Sequence, residues 1–205
     1  MGDGAGQGER VSHRVPSWVW WAATGLAIAY LAWENFPTLG HGNARDWRFF
    51  YPAAEALVRG TDLYESGEGG YVYPPLLAFL VTPLVPLGFF PSAQVWLGLS
   101  LAALVAALAL TAGEVSRRVG EGGGWRAPRL GTSVLLGLLL SANVARRELE
   151  HTQTDWITVM GFVLGLLWMD RRPVLAGAAL GLAANVKYHT LIVVPYLLVR
   201  GRLKA

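Results

Sequence analysis

Asp46 is a side chain of this sequence that could take a proton from a substrate. It opens the segment 46–59, which predicts a short helix that Gly60 stops. A carboxylate at this position could act as a general base towards a hydroxyl group. It could equally serve as the N-cap of that helix, since aspartate is favoured there. The residues alone leave both roles open.

A second set of side chains could bind an anion. An anionic group is held by cations in a partly dehydrated site, and the candidates are Arg146, Arg147, Lys187 and His189, with Gln153 as a neutral polar neighbour. Each cation also has a structural alternative. The arginine pair could lie at a membrane interface, the lysine could end a helix, and the histidine could serve packing or hydrogen bonding.

No metal or phosphate-loop motif accompanies these residues. The sequence lacks paired histidines or a Glu-x-x-His pair on a predicted helix, and Gly122-Gly123-Gly124 lacks the lysine and hydroxyl residue that follow in a phosphate loop. We therefore expect neither a metal nor a cofactor.

The composition indicates which elements position these side chains. The 205 residues include no cysteine, and 53% are hydrophobic but only 15% charged, against about 25% charged in a soluble domain. This excludes a disordered chain, a disulfide scaffold and a zinc finger. The net charge of +3 is too small to predict nucleic-acid binding. The composition is typical of a membrane protein.

Runs without Asp, Glu, Lys or Arg predict six membrane spans. A helix of about 20 residues crosses a bilayer core, and the predicted spans are 15–33, 92–112, 130–145, 156–169, 173–186 and 188–199. The last three are short and would need a thinned bilayer or shelter from other helices. The first could be a signal peptide, but its flanking tryptophans favour an anchor. The predicted fold class is an all-α polytopic membrane domain, 15–205, after an N-terminal tail, 1–14.

The proline-rich segment 71–91 decides the predicted topology. It contains five prolines, which make one straight helix unfavourable. If it does not cross the membrane, eleven Lys and Arg side chains fall inside and six outside; if it crosses, the numbers become five and twelve. Short cytoplasmic loops are enriched in Lys and Arg. We therefore expect two cytoplasmic termini and a long first outer loop, 34–91, with interfacial helices.

This layout collects the candidate residues on the outer face of the membrane. Asp46, Gln153 and Lys187 all fall there, with nine of the 14 acidic residues. Varied titratable groups on one face of a membrane protein indicate chemistry at that face. Two glycine pairs, 161 with 165 and 177 with 181, would let helices approach closely in lipid.

The order of these motifs resembles glycosyltransferase family 87. The outer loop is similar to that of the family in the order and spacing of Asp46-Trp47, Phe50-Tyr51, Ala53-Ala54, Gly60, Leu63-Tyr64 and Tyr73-Pro74-Pro75-Leu76. Gln153 stands where the family has a Gly-Gln-x-Asn motif, with Thr152 for its glycine and Asp155 for its asparagine. The helix 176–187 resembles an Ala-Gly-rich family helix that ends in lysine.

The resemblance implies the N-terminal half of a membrane-embedded enzyme of the GT-C fold. Such an enzyme would move a hexose, with mannose the expected one, from a polyprenyl-phosphate donor to a hydroxyl of a glycolipid or glycan acceptor outside the plasma membrane. The resemblance implies Asp46 as general base, and it favours Lys187 among the donor contacts, which also include Gln153, Arg146, Arg147 and His189. Tyr51, Tyr64, Tyr73, Pro74 and Pro75 would be outer-loop motif residues.

The residues agree with inverting transfer. One base is enough, because a phosphate leaves without an acid. Two alternatives remain. One is a lipid-binding or transporter-like membrane protein without catalysis, although polar groups gathered at one interface favour chemistry there over a path across the bilayer. The other follows from the greater length of family members, which implies further helices after Ala205: an inactive fragment that needs a second half.

Overall fold

The computed structural model describes residues 15–39, 44–121 and 127–201, which form helices and no strand. This confirms the predicted all-α class. The α-helices are α1 (Ser17–Leu39), α2 (Trp47–Arg59), α3 (Pro75–Val81), α4 (Phe89–Glu121), α5 (Ala127–Leu140), α6 (Ala142–Glu150), α7 (Asp155–Trp168), α8 (Pro173–Val186) and α9 (Val193–Val199), with 3-10 segments at Thr82–Leu87 and Tyr188–Ile192. The predicted tail 1–14 and the linker 122–124 lie outside the described residues.

The longer helices pack side by side, and small residues decide how closely. Helix α7 packs against α4 and α8, while α1 packs against α5. A Cβ atom on Gly161 would lie 3.0 Å from Cβ of Ala183, and one on Gly165 only 2.5 Å from Cγ of Leu180. These glycines therefore let α7 and α8 approach, as predicted for this pair. Gly181 has open space around its Cβ position, so this member of the second predicted pair does not contribute to the close approach.

Two predicted spans are wrong as single helices. The span 130–145 is divided at Ser141, between α5 and α6, where the serine hydroxyl donates to the carbonyl of Gly137 at 2.8 Å. The span 188–199 is divided between a 3-10 segment and α9, and in that segment the hydroxyl of Thr190 donates to the carbonyl of Lys187 at 3.0 Å. Serine and threonine hydroxyls compete for helix carbonyls in this way.

Helix α1 also differs from its prediction, because it continues to Leu39. The predicted outer loop, which begins at residue 34, therefore starts within a helix. Among the described residues, one helix segment, Phe89–Arg118, is long and apolar enough to cross a membrane by length and composition, and the other apolar helices are shorter. The layout of six spans stays a prediction.

The proline-rich segment folds as two short pieces, as its prolines predict. Pro75 begins α3, where a missing N–H costs nothing, and the 3-10 segment that follows ends at Gly88, whose φ is 81°. Helix α2 packs against both pieces. Its buried Trp47 donates from Nε1 to Oγ of Ser92 at 3.0 Å and to the carbonyl of Phe89 at 3.1 Å. Helix α2 and the proline-rich segment are thereby fixed to the start of α4.

Three contacts show which helix ends lie together. Nε1 of Trp96, near the start of α4, donates to the carbonyl of Gln153, just before α7, at 3.3 Å. An ion pair between Lys187 and Asp155 joins the end of α8 to the start of α7. An ion pair between Arg146 and Glu34 joins α6 to the second half of α1. A cavity of about 410 Å³ lies at the opposite ends of α4 and α7, beside α9. Helix α2, the proline-rich segment and the loop before α7 therefore share one end of the bundle.

Candidate active site

The loop between α6 and α7 is tied to the start of α2. The backbone N–H of Asp46 donates to the carbonyl of His151 at 3.0 Å. The next residue, Thr152, is buried and has a φ of 60°, a left-handed conformation that a β-branched residue rarely adopts. The motif that this segment resembles has a glycine at this position, which suits such a backbone. Thr152 therefore adopts a backbone conformation that a glycine would adopt more readily.

Asp46 occupies the N-cap position of α2 but makes no capping hydrogen bond from its side chain. The N-cap role that the sequence suggested for the Asp46 side chain is therefore wrong, because its carboxylate forms no capping hydrogen bond with α2. Burial raises the pKa of Asp46, while the charges of His151, Lys187 and Arg45 act in the opposite direction. A carboxylate with a raised pKa is a stronger base once it is ionised.

Lys187 follows the end of α8 and points to the loop before α7. Its Nζ donates to Oδ1 of Asp155 at 2.7 Å and to Oε1 of Gln153 at 3.0 Å. The side chains of the lysine and the aspartate are 24% and 25% exposed. The lysine is also close enough to Asp46 for its charge to act on that carboxyl. Three predicted site residues, Asp46, Gln153 and Lys187, therefore lie together.

Two acidic residues complete this group, and we name Asp46, Glu148, Gln153, Asp155 and Lys187 the polar cluster. Burial raises the pKa of Glu148 to about 8, helped by its hydrogen bond with Asp155 and by nearby negative charge. For Asp155, burial opposes ionisation, but hydrogen bonds with Glu148 and Lys187 outweigh it and lower the pKa. Two carboxyl groups with pKa values pushed apart are typical of sites that move protons.

Sequence reasoning missed Glu148 and noted Asp155 only as a departure from a motif. The signal that could have found them is their position on both sides of the polar segment 151–154. Their pairing depends on the turn between α6 and α7, which no helical or strand spacing describes. Among the described residues, no three His, Asp or Glu side chains are placed to hold a metal ion.

Tyr73 is the outer-loop motif residue that faces the polar cluster. Burial raises its pKa, and the charges of Asp46 and Asp155 add to the effect. Its ring packs edge-on against Phe50, with ring centroids 5.1 Å apart. An aromatic side chain beside the carboxylates could form one wall of a substrate pocket.

The other motif residues support the loop. The hydroxyl of Tyr51 donates to the carbonyl of Val85 at 3.1 Å, and that of Tyr71 donates to the carbonyl of Pro74 at 3.0 Å. Pro75 starts α3, and Tyr64 is exposed with its ring centroid 6.1 Å from that of Tyr71. These contacts hold the loop in position and do not reach the polar cluster.

The remaining predicted cations are placed differently. Arg146 pairs with Glu34 of α1, with Nη1 and Oε1 3.0 Å apart, and Arg147 is exposed on α6. Among the described contacts, neither arginine reaches Asp46, Gln153 or Lys187. His189 is exposed in the 3-10 segment, and its charge acts on Asp155. It therefore lies at the margin of the polar cluster.

Comparison with known proteins gives one family. The model of glycosyltransferase family 87 matches residues 71–205. No curated protein and no solved structure matches the chain significantly. The matched region contains Tyr73, Glu148, Gln153, Asp155 and Lys187, whereas Asp46 lies before it.

Proposed function

The chain belongs to glycosyltransferase family 87, and from this we propose that it transfers a hexose, with mannose the expected one, from a polyprenyl-phosphate donor to a hydroxyl acceptor on a glycolipid or glycan. The transfer takes place at the outer face of the plasma membrane and inverts the anomeric carbon. The observation that carries this proposal is the polar cluster, in which a carboxylate not used for capping lies beside a lysine.

The proposed reaction uses Asp46 as the base. Its carboxylate takes the proton of the acceptor hydroxyl, whose oxygen attacks the anomeric carbon of the donor sugar from the side opposite the phosphate. The new bond joins the acceptor oxygen to that carbon, and the bond between that carbon and the phosphate oxygen breaks. Its electron pair stays on the phosphate, which leaves as polyprenyl phosphate without needing an acid.

Lys187 is the proposed cation for the leaving phosphate. An ammonium group has three N–H donors, and two of those of Lys187 go to Gln153 and Asp155. The third can donate to a phosphate oxygen, and such a charge-assisted bond strengthens as negative charge develops on the leaving group. This supports a role in donor binding and in stabilising the transition state.

Exposed apolar side chains on α3, the helix that begins shortly after Tyr73, support a lipid-linked donor. In α3 the buried residues include Leu77 and Val81, but Phe79 is 65% exposed and Leu80 44% exposed. A short helix that is apolar on both its packed and its exposed sides fits a segment lying in the outer leaflet. A polyprenyl chain in that leaflet would bring its phosphate to the depth of the cluster.

The donor class can be tested with the purified full chain in liposomes. We expect transfer of radiolabel from polyprenyl-phosphate-mannose to octyl mannoside, and none from a nucleotide-linked mannose. Liposomes without protein are the control. Transfer from the nucleotide sugar alone would show that the donor class is wrong. Binding of the lipid donor without transfer would favour the lipid-binding alternative.

The proposed topology makes a separate prediction. The chain has no cysteine, so single cysteines can be introduced without other changes. A membrane-impermeant maleimide is expected to label Glu68→Cys, in the outer loop, on intact cells. It should label Arg171→Cys, between α7 and α8, only after permeabilisation, because short arginine-rich loops stay inside. Labelling in the reverse order would overturn the proposed orientation.

A further inference from the structure

Glu148 holds a buried oxygen that has no hydrogen-bond partner. Its Oε2 atom is inaccessible and unpaired among the described residues. Glu148 lies in the last turn of α6, and its backbone carbonyl accepts from the N–H of Gln153 at 2.9 Å. A buried carboxyl oxygen without a donor is costly if the group is ionised. The surroundings of Glu148 therefore favour its neutral form.

The charges around Glu148 also favour its neutral form. The groups that interact electrostatically with Glu148 are Asp46 before α2, Tyr73 before α3, Asp155 of α7 and Lys187 after α8. Helices α1 and α5 pack against α6, and the acidic group of α1 beside α6, Glu34, is paired with Arg146 at 3.0 Å. Lys187, the cation among the interacting groups, already donates to Oδ1 of Asp155 at 2.7 Å. Two neighbouring carboxyl groups that share one cation share a proton more readily than they both ionise.

We propose that Glu148 is a positioning residue for the transferase reaction proposed above: it keeps its proton at neutral pH, donates it in a hydrogen bond to Asp155, and so holds Asp155 against Lys187. The donated hydrogen bond fixes the orientation of the aspartate, and the aspartate with Gln153 fixes the ammonium group. Residues that hydrogen-bond to the substrate-binding groups hold a site in its productive geometry in this way.

The raised pKa of Glu148, which burial increases to about 8, agrees with a proton retained at neutral pH. As the pH rises through that value, Glu148 ionises and the two carboxylates compete for Lys187. The ammonium group is then drawn towards the carboxylates and away from a phosphate. Binding of a lipid phosphate should therefore weaken above about pH 8, beyond any change in the charge of the phosphate itself.

Infrared spectroscopy of the purified full chain tests the proton directly. We expect a C=O band of a protonated carboxyl group at neutral pH that disappears as the pH rises past about 8. The band should be lost in Glu148→Gln and kept in Glu150→Gln, a matched control on the same helix. A band that survives Glu148→Gln, or no band in the wild type, would overturn the inference.

Binding of polyprenyl phosphate tests the positioning role without requiring turnover. Glu148→Gln still has an N–H donor for Asp155, so its Kd should stay within about twofold of wild type, without the extra weakening at high pH. Glu148→Ala lacks the donor, and its Kd should rise about tenfold. Equal Kd values for Glu148→Ala and wild type would overturn the positioning role, even with the band lost.

The same measurements separate this inference from the proposed function. A wild-type chain that binds polyprenyl phosphate with the expected dependence on Glu148, but transfers no sugar, would contradict transfer and keep the positioning of Lys187. A wild-type chain that binds no lipid phosphate would overturn the positioning role and the donor class together, and the carboxyl band would still decide where the proton lies.

Discussion

Asp46→Asn is expected to bind donor almost normally but to transfer sugar with a kcat lower by about 100- to 10,000-fold, the usual contribution of a general base. Asparagine matches the size of aspartate but cannot accept the proton of the acceptor hydroxyl. The substitution keeps the backbone hydrogen bond to His151 and removes no capping bond, because the carboxylate makes none. The loss should therefore appear in catalysis rather than in folding.

Measurement of kcat, donor KM and thermal unfolding on the same preparations checks this result. The matched control is Asp62→Asn, an exposed aspartate of the same outer loop whose Oδ1 accepts from the N–H of Tyr64 at 2.8 Å. It should keep wild-type kcat. If Asp46→Asn retained most of the wild-type kcat, Asp46 would not be the base.

The pH dependence of the transfer rate of the wild-type protein should reflect the ionisation of Asp46. Burial raises the pKa of Asp46 above its ordinary value of 3.8, and the base works only when ionised. The rate should therefore fall on the acid side, at a pH higher than an ordinary aspartate would give. On the alkaline side, ionisation of Glu148 near pH 8 should raise the donor KM. A bell-shaped profile of kcat/KM is expected.

Lys187→Met is expected to raise the donor KM by about 10- to 100-fold, the cost of a lost charge-assisted hydrogen bond. It should also destabilise the protein by about 1–3 kcal/mol, because Asp155 loses its cation while remaining partly buried. The donor KM rises because the phosphate loses a hydrogen-bond donor, whereas the stability falls because Asp155 loses its cation.

A double variant separates the two effects. Lys187→Met combined with Asp155→Asn leaves no unpaired charge at this point, so the free energy of unfolding should recover while the donor KM stays high. If the double variant recovered the donor KM as well, the lysine would serve only to neutralise the aspartate. Lys187→Arg should keep part of donor binding, since it keeps the charge but not the geometry.

Local patterns in the sequence predicted much of the secondary structure. Helix α2 was predicted over 46–59 and observed at Trp47–Arg59, and α8 was predicted at the bounds where it occurs. In the first case glycine in the left-handed conformation ends the helix, and in the second the charged residues at each end limit the apolar run. The breaks at Ser141 and between Ile192 and Val193 were missed, because an apolar run does not reveal where hydroxyl groups and backbone torsions interrupt a helix.

The sequence by itself determined the all-α class and the membership of a glycosyltransferase family, and it led to the proposal of Asp46, Gln153 and Lys187 as site residues. These follow from composition, hydropathy and the order of motifs along the chain. Only the tertiary structure decided that Asp46 does not cap its helix, that Arg146 pairs with Glu34, and that Glu148 and Asp155 meet beside Lys187. The physical reason is that burial and hydrogen-bond partners arise where the start of α2, the end of α6, the start of α7 and the end of α8 come together. Residues far apart in the chain meet only there.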